Sequence, residues 1–115
     1  MKRRKPAVRL QDILDNIINI QNFLKGKSLE NFKTDTFLRF AVERALEIIS
    51  EASRHIAESD KARYPQIPWY EIKAVGNILR HEYQSVDPEI IWDTATQDLE
   101  PLRHAIETMK RELAK

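Results

Sequence analysis

The stretch Thr36-Phe37-Leu38-Arg39-Phe40-Ala41-Val42-Glu43-Arg44-Ala45-Leu46-Glu47-Ile48-Ile49-Ser50-Glu51-Ala52 decides the fold. Its apolar members Phe37, Leu38, Phe40, Ala41, Val42, Ala45, Leu46, Ile48, Ile49 and Ala52 keep helical spacing, not the strict alternation of a half-buried strand. Thr34, Asp35 and Thr36 offer N-cap oxygens just ahead of it, and the period continues to about Ser59. A helix of this length and apolar content forms the spine of a core.

Upstream, Leu10, Ile13, Leu14, Ile17, Ile18, Ile20 and Leu24 predict a first helix from Val8 to about Lys25, which Gly26 ends. Ser28 to Lys33 fits a single turn with Leu29 and Phe32 inward. Downstream, Asp60 to Pro65 reads as a charged loop. Pro68 then opens a third helix through Ile72, Val75, Ile78 and Leu79 to about Tyr83. At Val86-Asp87-Pro88-Glu89 the chain restarts: Asp87 caps, Pro88 suits the first turn, and Glu89 complements the positive helix end. A fourth helix carries Ile90, Ile91, Trp92, Ala95, Leu99, Leu102, Ile106 and Met109, with Pro101 predicted to kink or split it. Amphipathic helices with short connections bury their apolar faces against one another, so the expectation is an all-α, antiparallel four- to five-helix bundle. Residues 1–7 read as a basic flexible N-terminus and 8–115 as one domain.

Composition agrees with that reading. Of 115 residues, 42% are hydrophobic and 32% charged, enough for one core and a solvated surface, and only two glycines occur. A net charge of +1 lacks the basic excess of a general nucleic-acid binder, so any RNA contact is local. With no cysteine and three scattered histidines, neither a disulfide nor a structural metal is expected, and no cofactor is implied. Met1-Lys2-Arg3-Arg4-Lys5 starts like a signal peptide, but Pro6, Arg9, Gln11, Asp12 and Asp15 prevent an apolar run after it. No run approaches the roughly 20 apolar residues that span a bilayer, so a cytoplasmic protein without membrane contact is expected.

The segment Asn77-Ile78-Leu79-Arg80-His81-Glu82-Tyr83 is where chemistry would concentrate. Arginine presents a planar fork to phosphate oxygens, and histidine exchanges a proton near neutral pH. Metal-free RNA cleavage needs both roles: a base for the ribose 2′-hydroxyl and a cation for the charge on the pentacoordinate phosphate. For an isolated His-x-Tyr the plainer reading is an exposed His81 near a helix C-terminus and a Tyr83 packed over the bundle's end. Arg44, Glu47 and Glu51 read as a surface ion-pair ladder, Lys2 to Lys5 as a solvated terminus, and Trp69 and Trp92 as core anchors. His55 and His104 receive no role.

Taken in order, Arg44-Ala-Leu-Glu-Ile-Ile-Ser-Glu-Ala52, Ile67-Pro68-Trp69, Asn77-x-Leu79-x-His81-x-Tyr83, Val86-Asp87 and Ile91-Trp92 resemble the HepT-like family of HEPN proteins. The resemblance implies a homodimeric helical bundle, the toxin of a type VII-like toxin–antitoxin pair, acting as a metal-independent ribonuclease. It also implies an MntA-like nucleotidyltransferase antitoxin that transfers AMP to the motif tyrosine. Carried over by position, His81 is the general acid/base, Tyr83 the AMPylated tyrosine, and Asn77 the polar residue after the family's arginine. That arginine is missing: Ala74, Val75 and Gly76 stand where it is expected. Arg80, about one turn beyond Gly76 and within about 40° of its face, is the natural substitute, with Lys73 a weaker one. The alternative is a non-catalytic HEPN module that binds nucleotide or RNA beside a nucleotidyltransferase.

Overall fold

The computed structural model describes residues 5–81 and 86–115. In chain order the helices are α1 (Pro6–Leu24), α2 (Leu29–Thr34), α3 (Thr36–Ser53), α4 (Glu58–Lys61), α5 (Trp69–His81), α6 (Pro88–Asp93) and α7 (Leu99–Leu113). A π-helical segment, Thr94–Asp98, joins the last two. No strand occurs among the described residues, and the all-α bundle expected from periodicity is the fold.

Side-chain caps fix several helix starts, because the first amides of a helix have no intrahelical partner. Asp35 accepts from the Leu38 amide at 3.0 Å and opens α3. Ser28 and Asn31 form a reciprocal capping box that makes α2 a true helix of six residues. Asp87 accepts from the Glu89 amide at 2.9 Å, with Pro88 in the first turn as expected. Gly26 lies just past α1 with φ +74°, a left-handed conformation in which other residues are strained.

Burial follows the sequence stripes. Ile13, Ile17 and Ile20 of α1, Val42, Leu46 and Ile49 of α3, Ile72 of α5, Ile91 of α6 and Leu102 and Ile106 of α7 are all sealed from solvent. Helix α1 lies between α3 and α7, and α5 packs on the other flank of α3. Trp92 meets Phe32 with ring centroids 5.8 Å apart, and Trp69 donates its indole N–H to the Tyr64 carbonyl at 3.2 Å. Both tryptophans thus pack against the core with one face, as anchors do.

Three boundaries differ from the sequence reading. α1 begins at Pro6, two residues before Val8, because proline is pre-organised for a first turn. α3 stops at Ser53, well short of Ser59; the chain turns through 54–57 and carries Ile56 into the core. The charged stretch after it contains the short helix α4, which the lack of an apolar period concealed. The fourth helix is split in two, as one of the two outcomes expected of Pro101, although the division falls ahead of the proline. The widened π-helical turn precedes it and α7 restarts at Leu99, so Pro101 falls in a first turn where its missing N–H costs nothing. No helix is long and apolar enough to cross a membrane, and no group of three or more metal-ligating side chains converges, both among the described residues.

Two measurements probe this packing. Ile17→Ala removes a fully buried side chain at the centre of α1, and a loss of about 2–5 kcal/mol is expected in urea denaturation. The Asp98 carboxyl is pushed above the usual aspartate range by burial and by the neighbouring Glu71 and Asp93 carboxylates. Its ionised form therefore opposes folding at neutral pH. Asp98→Asn is expected to raise the melting temperature at pH 7, and that gain should fade as pH falls through the raised pKa, where the wild-type carboxyl is already protonated in the fold.

Candidate active site

The site begins with a close approach between two helices. Gly76 is buried midway along α5, and a Cβ placed on it would overlap both the Cβ and the Oγ of Ser50 on α3. The Ser50 hydroxyl, itself sealed from solvent, donates to the Lys73 carbonyl at 3.5 Å. Ser50 interrupts an otherwise apolar stripe, and Gly76 interrupts a helix. Their coincidence in space explains both, since only glycine lets the backbones come this near.

One turn on, Arg80 folds back over this notch. Its Nη1 lies 3.6 Å from the position a Gly76 Cβ would take, and its Nη2 donates to Asn77 Oδ1. The Glu51 Oε2 stands 3.8 Å from Nη1. The Arg80 side chain is 28% exposed, with its guanidinium between Asn77 and Glu51. That guanidinium lines a cleft of about 510 Å³ between α1, α3 and α5. Arg9, Arg44 and Arg54 line it as well, against the carboxylates of Asp12, Glu47 and Glu51.

The structure thus joins Asn77, Arg80 and the Gly76 notch, which the sequence placed on one side of a helix. It does not bring His81 to the same cleft. His81 is the last described residue of α5, exposed, and an ideal helix turns it about 100° away from Arg80. Tyr83 lies outside the described residues. Lys73 is exposed, and it does not line the cleft.

Glu51 was legible only as part of a ladder. Arg44 does pair with Glu47 at 3.7 Å, but Glu51 turns elsewhere: Arg54 at 3.4 Å and His55 at 3.5 Å join Arg80 around it. His55 and His104, for which the sequence offered no partner, each contact glutamate; His104 sits 3.3 Å from Glu100. Ser50 and Glu51 are the residues that sequence reasoning missed. A serine on a buried stripe was the available signal for the first. For the second, Arg54 and His55 stand at i+3 and i+4, but nothing in the spacing marked its contact with Arg80, which comes from a different helix.

A bundle of this kind, with an arginine and a histidine at the end of its third long helix, is HEPN-like. Known proteins agree. Residues 13–109 match the model of the family described as ribonuclease HepT-like. The chain is 37% identical over 102 residues to "Probable ribonuclease HepT" of Thermococcus cleftensis, covering 89% of this chain and 93% of that protein. It is 34% identical over 107 residues to "Putative RNase MJ1380" of Methanocaldococcus jannaschii, covering 93% and 98%. No solved structure matches. The chain belongs to the HepT-like ribonuclease family.

Gly76→Ala tests the notch directly. It is expected to destabilise the fold by about 1–3 kcal/mol, because the helices must separate. Ser50→Gly in the same chain should recover most of that loss, whereas Ser50→Ala should not, since the Ser50 Cβ already overlaps the new methyl group. Equal denaturation midpoints for Gly76→Ala and wild type would refute the close approach.

Proposed function

We propose that this protein is the toxin of a type VII-like toxin–antitoxin pair and a metal-independent endoribonuclease. Arg80 binds phosphate, His81 transfers the proton, and Tyr83 positions substrate and serves as the target of AMPylation. The observation that carries the reading is the Arg80 guanidinium lying over Gly76. The family arginine is expected near position 76, where Ser50 leaves no room for a side chain. A guanidinium reaching back from one turn later supplies the same cation to the same place.

In this mechanism His81 accepts the proton of a ribose 2′-hydroxyl as that oxygen attacks the adjacent phosphorus. Arg80 neutralises the equatorial oxygens of the pentacoordinate phosphate, with Asn77 holding one edge of its fork so that the other faces the cleft. The P–O5′ bond then breaks, leaving a 2′,3′-cyclic phosphate and a 5′-hydroxyl protonated by the His81 imidazolium, which returns the histidine to its starting state. A homodimer and an MntA-like nucleotidyltransferase antitoxin complete the proposal. Family membership and relatives named as ribonucleases support it.

A second reading has its own support: glycine replaces the family arginine, and His81 does not line the Arg80 cleft. It makes the chain a non-catalytic module that binds nucleotide or RNA beside the same nucleotidyltransferase.

RNA incubated with purified protein in excess chelator separates the two. Cleavage is expected, with Arg80→Ala and His81→Ala each slowing it by about 100-fold or more. Intact RNA together with undiminished binding would leave the second reading standing. In the same preparation co-expressed with its nucleotidyltransferase, mass spectrometry should find AMP-sized additions on Tyr83.

A further inference from the structure

Helix α3 has an outward face that the packing of the bundle does not explain. Phe37 is 90% exposed and Phe40 58% exposed, although phenylalanine is a residue that proteins bury. They stand at i and i+3, one turn apart. Arg44, Glu47 and Glu51 continue the same stripe, because steps of three and four residues return to within about 60° of one direction. The two phenyl rings therefore run in line with the guanidinium-rimmed cleft that ends at Arg80.

We infer that this face is a track for single-stranded RNA: Phe37 and Phe40 stack bases, and the arginines of the cleft seat the phosphates that lead to Arg80. The inference rests on the ribonuclease reading only for its choice of nucleic acid as ligand. Exposed rings by themselves would suit a protein surface equally well. The charges beside them favour a polyanion. Arg9, Arg44, Arg54 and Arg80 outnumber the cleft's carboxylates, and the pairs at Arg44, Arg54 and Arg80 are 3.4–3.8 Å contacts open to solvent. Such pairs are weak, and a phosphate offers arginine a bidentate partner instead. The strand must be single. In a duplex the bases stack on one another and the deep groove of A-form RNA keeps side chains from them, whereas an unpaired base has a free face for a phenyl ring.

Because Phe37 and Phe40 are exposed, replacing them leaves the core intact. The test measures fluorescence anisotropy of an oligoribonucleotide of about 12 nucleotides, single-stranded or annealed to its complement, on full-length protein carrying His81→Ala to prevent turnover. Phe37→Ala combined with Phe40→Ala is expected to weaken single-strand binding about ten-fold or more, with the salt dependence of affinity unchanged. Arg44→Gln with Arg54→Gln should instead flatten the salt dependence by a slope of about 1 to 2, as two lost phosphate contacts require. Three results would overturn the track: no binding by the starting protein, unaltered affinity in the phenylalanine variant, or a matching loss for the duplex. A fall in sedimentation mass on replacing the rings would also overturn it, by assigning them to contact between copies. Wild-type cleavage without an effect of the rings sinks the track alone. Ring-dependent binding without cleavage sinks the nuclease alone.

Discussion

The contact between Gly76 and Ser50 is the constraint on which the rest of the site depends. It brings the backbones of α3 and α5 together at a point where neither side chain can grow, and it thereby fixes the height of one helix against the other. Asn77 and Arg80 inherit their positions from it. A larger residue at 76 would lift α5 and carry the guanidinium away from Glu51 and the cleft. Position 76 faces the interior of the helix pair, where Ser50 leaves no room for a side chain.

Electrostatics then tune what packing has placed. Glu51 meets Arg54, His55 and Arg80 within 4 Å, so no single cation holds it fully. Its hold on Arg80 is correspondingly loose, as expected for partly exposed pairs. Asn77 gives the guanidinium a second, neutral acceptor on its own helix. A cation held by a neutral acceptor and a shared carboxylate keeps much of its charge available to an incoming anion. Beside the pocket that Arg9 and His55 also line, Arg63 donates from Nη2 to both carboxylate oxygens of Glu112, to Oε1 at 2.6 Å, and ties the segment after α4 to the end of α7. There the hydrogen-bonded Arg63 holds the Glu112 carboxyl below its usual range.

Much of the fold was legible in the chain itself. The stripes of α1, α3 and α7, the Asp35 and Asp87 caps, the Gly26 stop and the break between the third and fourth long helices all depend on residues close in sequence. The errors came where local signals were silent. The period of α3 was carried past Ser53, where the backbone had already turned, and α4 had no stripe to show. At the site, Arg80 beside Asn77 came directly from helix geometry, but the cleft assembled from α1, α3 and α5 did not.

By itself the sequence determined the all-α class, the long helices and the family, because helical periodicity and the order of motifs along the chain are properties of neighbours. Only the tertiary structure decided that Gly76 lies against Ser50, that Arg80 covers the resulting notch, and that Arg80 reaches Glu51 on the neighbouring helix. Those facts need the relative height and rotation of two packed helices. A steric overlap between side chains on separate helices fixes both, and no spacing within either helix encodes it.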